Sequence, residues 1–452
     1  MLFSSLEFLG LFLPVTLFVY FLVPRRWRNL VLFLFSLLFY GWGEPVYVFL
    51  MLFTIAADFF LGLLVAKTRR RAHLAFAVIL NLALLAFFKY YDLFASLVGL
   101  PTLGIPLPVG ISFYTFQALS YVVDVYRGSS AQRSFVDFGT YITMFPQLIA
   151  GPIVRYDDIA DELRERRFSS ERAAHGILRF VAGLSKKVLL ANPAGEIWNY
   201  FATLPQRSVV GAWLGLVFYA FQIYFDFSGY SDMALGLGEV LGFRFPENFR
   251  YPYCATSIKD FWHRWHISLS DWFREYVYIP LGGNRRGEAR TILNMLAVWS
   301  LTGLWHGASV NFLVWGVYYF LLLAAERSFL GKWLPRLPRF LRRAYALFFI
   351  LIGWLIFASP DMSAFASYFS SLFALSGEPL MLPIDRYELS RNALLLVVMT
   401  VSSTPLFAHF WHTRADSTVG RVLATGVSVF VFLLSVAHLA ASSYNPFLYF
   451  RF

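Results

Sequence analysis

The chain has 452 residues, of which 58% are hydrophobic, 19% aromatic and only 14% charged, whereas soluble domains carry roughly one quarter charged residues. That balance excludes an ordinary soluble enzyme and a disordered chain, and the single cysteine, Cys254, excludes an intramolecular disulfide framework. The formal charge of +11 sits in short basic clusters between apolar stretches, which excludes nucleic acid as a natural partner and leaves membrane lipid as the surrounding solvent.

A span takes about 20 mostly apolar residues. On that measure the chain reads as an all-α polytopic membrane protein with about ten or eleven transmembrane helices plus re-entrant or interfacial helices. Spans are expected at 6–23, 29–42, 47–66 and 73–88. The first lacks a basic leading region and a small-residue cleavage site, so it reads as a retained helix and not a signal peptide. Arg25, Arg26 and Arg28 follow the first span, and Lys67, Arg69, Arg70 and Arg71 follow the third. The positive-inside rule puts both loops in the cytoplasm and the turn Gly41 to Pro45 outside. No internal repeat or long linker divides the chain, so 1–452 reads as one integral membrane domain, with N-terminal helices over 1–103, a core over 104–327 and supporting helices over 328–452.

From 104 the texture changes. Leu107 to Gln117 and Phe145 to Pro152 mix proline, glycine and hydroxyls into apolar runs, and Tyr156 to Arg172 reads as an amphipathic surface helix. Gln222 to Asp232 places Asp226, Ser228 and Asp232 after an apolar helix, where lipid exposure is costly. They should face the interior, either as a packing network or as part of a substrate path. Gly238 and Gly242 have the spacing of a close helix approach. Lys259 to Arg274 reads as one interfacial helix on which His263 and His266 are neighbours and Asp260 pairs with Arg264. Trp262, Trp265, Trp272 and Phe273 supply its aromatic body. Plain helical spans follow at 344–359, 393–410 and 419–439.

The sharpest feature is His306 in Gly303-Leu304-Trp305-His306-Gly307, within an apolar stretch from Met295 to Leu323. A titratable group at membrane depth is a functional-site hypothesis, because lipid offers neither water nor partners. Gly303 and Gly307 leave room for another backbone or a slender substrate, and Thr302 could orient the imidazole. Histidine is a competent general base toward a hydroxyl. No Gly-x-Ser-x-Gly elbow or reactive cysteine motif supports a covalent intermediate. Direct attack by an acceptor hydroxyl on an activated acyl group is therefore the simpler chemistry. Lys186, Lys187, Arg264, Arg274, Arg285 and Arg286 are candidate partners for a phosphate-bearing donor, or headgroup anchors. His263, His266 and His306 lack a carboxylate or cysteine at ligand spacing, so no metal is expected.

These motifs resemble the membrane-bound O-acyltransferase (MBOAT) family, in particular its bacterial alginate O-acetyltransferase membrane-subunit branch. The resemblance runs through Phe88 to Tyr91, Leu107 to Gln117, Phe145 to Pro152, Gln222 to Gly238, Pro246 to Phe249, Asp260 to Arg274, Tyr278 to Arg285, Gly303 to Ala308 and Tyr444 to Phe452. It implies a many-helix fold in the bacterial cytoplasmic membrane. It also implies a tunnel joining an acyl thioester donor inside, acetyl-CoA in the first instance, to a polysaccharide hydroxyl outside. His306 matches the family's catalytic histidine and His266 its second functional histidine, while His263 stands where the family often has arginine. Asp226, Ser228, Asp232, Asn248, Trp262, Arg264, Trp265, Gly303, Trp305 and Gly307 are the expected substrate-binding or tunnel-lining residues. A separate extracytoplasmic acetyltransferase partner is implied, with no bound cofactor. D-alanyl or other acyl transfer to a cell-wall polymer is an alternative within the family. Outside it stand a transporter and a structural subunit of a polysaccharide export complex.

Overall fold

The structure, a computed structural model, describes residues 1–406, 417–442 and 444–448. The end of the expected span 393–410 and Tyr449 to Phe452 of the terminal motif lie outside the described residues. The described chain is helical almost throughout, with a lone antiparallel bridge between Phe249 and Trp265. Among the described residues six helices are long and apolar enough to cross a membrane, and Phe8–Leu22 and Ala393–Ser402 are shorter apolar helices. The chain is thus an all-α polytopic membrane protein.

The N-terminal group is α1 (Phe8–Leu22), α2 (Arg28–Gly43), α3 (Tyr47–Thr68) and α4 (Arg71–Leu97). Phe3, Phe8, Phe12, Phe39 and Phe145 form one aromatic cluster that joins α1 and α2 to the turn at Phe145–Leu148. α4 outruns the expected span by nine residues. It does so because Lys89, the charge that ended the apolar run, turns into protein and not lipid.

The middle of the chain supplies α5 (Ile111–Arg127), α6 (Phe135–Thr143), α7 (Tyr156–Arg164), α8 (Ser170–Ser185), α9 (Asn192–Thr203) and α10 (Val209–Leu241). α6, α8 and α10 each start on a serine whose hydroxyl accepts an orphan N–H of the first turn. α10 is the central mast, and nearly every residue from Leu214 to Leu241 is buried. Its Gly229 and Gly236 meet Gly183 and Gly176 of α8, backbone against backbone, so a Cβ at any of the four would collide with a main-chain oxygen. Such small-residue seams are how helices associate where lipid removes the hydrophobic drive. Gly242 has a different task from the expected seam with Gly238. At φ +93° it is the left-handed cap that ends α10.

The rest of the core is α11 (Ile258–Trp262), α12 (Ile267–Phe273), α13 (Glu288–His306) and α14 (Val310–Ala325). α15 (Arg339–Ala358), α16 (Met362–Leu372), α17 (Pro383–Arg391), α18 (Ala393–Ser402) and α19 (Thr418–Ala441) complete the chain. α13 and α14 form a tight antiparallel pair. Gly303 lies against the Phe312 carbonyl and Gly316 against the Trp299 carbonyl.

Candidate active site

The expected single helix over Lys259 to Arg274 is two short ones, and the break makes the site. Arg250 N–H donates to Arg264 O at 2.9 Å and Ile267 N–H to Asn248 O at 3.1 Å, so residues 248–250 run antiparallel to 264–267. His266 sits at the reversal with φ +46°, ψ +54°. The left-handed region is uncommon outside glycine, although histidine tolerates it better than branched residues. The consequence is that His263 and His266 do not share a face. His263 is exposed, while His266 is 1% exposed.

The protonation of His266 follows from its neighbours. The Ser268 backbone N–H can only donate, and it points at Asn248 Oδ1 at 3.3 Å; the Ser268 hydroxyl donates to the same oxygen at 2.9 Å. The Asn248 amide nitrogen donates to Ser231 Oγ at 3.1 Å. That fixes the orientation of the amide and leaves Oδ1 facing His266 Nδ1 at 3.1 Å. An oxygen that cannot donate requires the ring proton on Nδ1, so Nε2 is the acceptor nitrogen.

His306 is the last residue of α13 and 4% exposed. Its ring lies among Trp305, Trp315 and Phe357, with centroids 5.0, 5.0 and 5.2 Å away. The Trp305 ring is also 6.1 Å from that of His266, so one indole stands beside both imidazoles. Behind Trp305, Phe116 stacks on it at 5.5 Å and on Trp272 at 3.8 Å. Trp262 packs on Trp299, Trp315 and Tyr319, and Trp265 on Phe261 and Trp354. The two histidines, 40 residues apart in sequence, thus flank one indole in an aromatic chamber. A cavity of about 250 Å³ opens next to His306 in the chain, lined by Phe88, Lys89, Asp92, Leu107, Gly307 and Ala308.

Several expected residues stand elsewhere. Asp226 is buried in an ion pair with Lys187 at 2.7 Å and accepts Leu448 N–H at 2.8 Å. Asp232 is bound by Lys186 at 2.6 Å and Arg179 at 3.0 Å, and Arg179 also holds Glu247. These carboxylates tie helices together. Ser228 is buried on α10 without a hydrogen bond to either. Arg264 pairs with Asp260 at 2.7 Å, as the spacing required, and is partly exposed. Gly303 offers no room to a substrate, because α14 fills the space, and Gly307 faces the Phe312 ring. The Thr302 hydroxyl bonds Val298 O of its own helix and does not orient His306. Of the candidate cations, Lys186, Lys187, Arg264 and Arg274 have carboxylate partners, while Arg285 and Arg286 lie exposed on the loop before α13. Among the described residues no group of three His, Cys, Asp or Glu converges as a metal site.

Sequence reasoning missed Lys89 and Tyr90 as parts of this site. Lys89 donates to the Trp305 carbonyl and Tyr90 to the Leu304 carbonyl at 2.6 Å. The signals were a charge at the end of an apolar run, which reads equally well as a span boundary, and the place of Phe88 to Tyr91 in the family resemblance, which gave those residues no role.

Comparison with known proteins identifies the family of the chain. The signature of MBOAT, the membrane-bound O-acyltransferase family, matches residues 125–367. The chain is 36% identical to the "Probable alginate O-acetylase AlgI" of Pseudomonas putida, covering all of both chains. It is 32% identical to the peptidoglycan O-acetyltransferase of Helicobacter pylori over 83% of this chain and 80% of that one. To the teichoic acid D-alanyltransferase of Bacillus subtilis it is 29% identical over 55% and 68%. The chain belongs to the membrane-bound O-acyltransferase family and is an acyltransferase.

Proposed function

We propose that this member of the membrane-bound O-acyltransferase family moves an acetyl group from cytoplasmic acetyl-CoA to a hydroxyl of an exported or cell-wall polysaccharide, with His306 as general base. The observation that carries the reading is the convergence of His306 and His266 beside one indole in a closed aromatic chamber. End-to-end likeness to alginate O-acetylases, against partial likeness to a D-alanyltransferase, supports acetyl over D-alanyl as the group moved.

In the proposed reaction the acceptor hydroxyl gives its proton to the His306 imidazole as its oxygen attacks the thioester carbonyl carbon. The tetrahedral intermediate collapses with C–S cleavage, and the imidazolium returns the proton to the departing thiolate. The Nδ1–H tautomer of His266 leaves Nε2 as an acceptor, which suits it to hold a second hydroxyl of the acceptor sugar, since the one proton of the reacting hydroxyl goes to His306, and not to polarise the donor carbonyl. Water exclusion by Trp262, Trp305, Trp315 and Phe357 protects the thioester from hydrolysis.

The donor enters from the Arg285–Arg286 end of α13 and the acceptor from the cavity beside Gly307. α13 separates those ends by about 27 Å at 1.5 Å per residue, close to the thickness of a bilayer core. The same rise along α4, from the basic loop at Arg71 to Lys89, also comes to about 27 Å and supports an outward-facing His306. The protein then sits in the bacterial inner membrane, residues 104–327 carry the chemistry, and a separate extracytoplasmic acetyltransferase receives the acetyl or completes its transfer.

Membranes carrying the wild type or His306→Ala, incubated with radiolabelled acetyl-CoA, test the reading. Label should enter polysaccharide only with the wild type. Undiminished labelling by His306→Ala at normal protein abundance would falsify it.

A further inference from the structure

α13 ends at His306 without the usual glycine cap, because Gly307 is extended (φ −179°, ψ 159°). The last carbonyls of a helix lack donors within the helix, and at membrane depth water does not replace them. α4 supplies the donors in trans. The Lys89 ammonium donates to Trp305 O and, at 3.3 Å, to Ser112 Oγ of α5, while the Tyr90 hydroxyl is a second donor to Leu304 O, which already accepts Gly307 N–H at 3.2 Å. Lys89 Nζ also stands 5.7 Å from the centroid of the Trp305 ring. A cation is favoured both at a helix C-terminus and over an indole face. Lys89 therefore holds Trp305 by its peptide group and by its ring, one residue from His306.

We propose that Lys89 and Tyr90 are positioning residues of the acyl transfer, with Lys89 dominant, and that they hold Trp305 and His306 in register with His266. The proposal rests on the reading of His306 as the base. A device that only ended the helix would need no cation, since a left-handed glycine ends α10 in this same chain. Lys89 also lines the cavity beside Gly307, so its stem faces that cavity while its ammonium is held at Trp305. Ser112 ties it to α5, whose Phe113 and Phe116 both pack on Trp305. Three helices are thus registered at one ammonium.

The test measures steady-state acetyl transfer from acetyl-CoA to polysaccharide in membranes that carry the full chain, with thermal unfolding of the purified chain measured side by side. A displacement of about 1 Å at a reacting group can cost about 10²-fold in rate. Lys89→Met should therefore lose about 10²-fold in kcat with KM for the donor within about threefold, the pattern of an interaction felt in the transition state. Lys89→Arg, which keeps a donor and a charge, should recover about tenfold of that, and Tyr90→Phe should lose about tenfold. If Lys89→Met does not fold, Lys89→Cys in a Cys254→Ser background is alkylated with 2-bromoethylamine, which rebuilds an ammonium. A rise in kcat on alkylation supports the proposal, and an unchanged kcat overturns it. Wild-type kcat in folded Lys89→Met, or a loss that Lys89→Arg does not relieve, also overturns it. His306→Ala run in parallel separates the two readings. Surviving activity there sinks the base assignment itself, whereas an inactive His306→Ala beside a fully active Lys89→Met sinks only the positioning role.

Discussion

An imidazole can act only through the nitrogen its surroundings leave available, and at His266 the decision is made by an amide. Asn248 Oδ1 takes the Nδ1 proton because Ser268 N–H and Ser231 Oγ fix which way the amide points. Asn248→Leu removes that acceptor. We expect it to lower kcat by about 10²-fold, the low end of what a positioned acid–base group contributes, and to cost about 1–3 kcal/mol through the unpaired Ser268 and His266 donors. Asn248→Asp keeps an acceptor toward Nδ1 and should retain more activity than Asn248→Leu at matched abundance. Equal activity in both variants would remove tautomer control from the account. Residue chemistry of this kind was half legible in the sequence. His306 stands out because charge is costly among apolar neighbours and His266 through the family resemblance, whereas the left-handed turn at His266 depends on pairing with residues 248–250, which no local pattern announces.

At the scale of elements, the long apolar helices were legible because a bilayer demands length, and about 20 apolar residues are hard to hide. The break between α11 and α12 was not, because three- and four-residue periodicity continues through it while long-range backbone bonds override it. The glycines flanking His306 were seen as a pair but differ in what they meet. A Cβ at Gly303 would strike the Phe312 backbone carbonyl, which is held in α14 and cannot turn aside. At Gly307 it would strike the Phe312 ring, which can rotate, and the extended φ of −179° suits any residue. Gly303→Ala should therefore push α13 from α14 and cost about 1–3 kcal/mol, the usual range for overpacking, together with most acetyl transfer. Gly307→Ala should cost less of both. Thermal midpoints in detergent and labelled-acetate incorporation measure the order, and a reversed order would mean that the helix seam does not set the position of His306.

For the whole molecule, the described end of the chain is tied back to its beginning through the middle. Asn445 bonds Ser4 and Asn192, Pro446 O accepts from Lys187, Leu448 N–H donates to Asp226, and Phe447 packs on Tyr230, which stacks on Phe3. At the centre is the Lys187–Asp226 pair, with side chains 3% and 2% exposed. Breaking a buried pair from one side leaves a charge without its counter-ion and costs about 3–5 kcal/mol, whereas replacing both partners with apolar residues is often near neutral. Lys187→Met and Asp226→Leu should each lower the thermal midpoint sharply. The double variant should recover most of the loss but not all, because the Leu448 N–H then goes without an acceptor at about 1–3 kcal/mol. The same cycle separates fold from chemistry at Asp226. Recovery of stability together with acetyl transfer in the double variant makes the pair a tie between the two ends of the chain. Stable single variants that fail only in transfer would instead return Asp226 to the substrate path, where the sequence first put it.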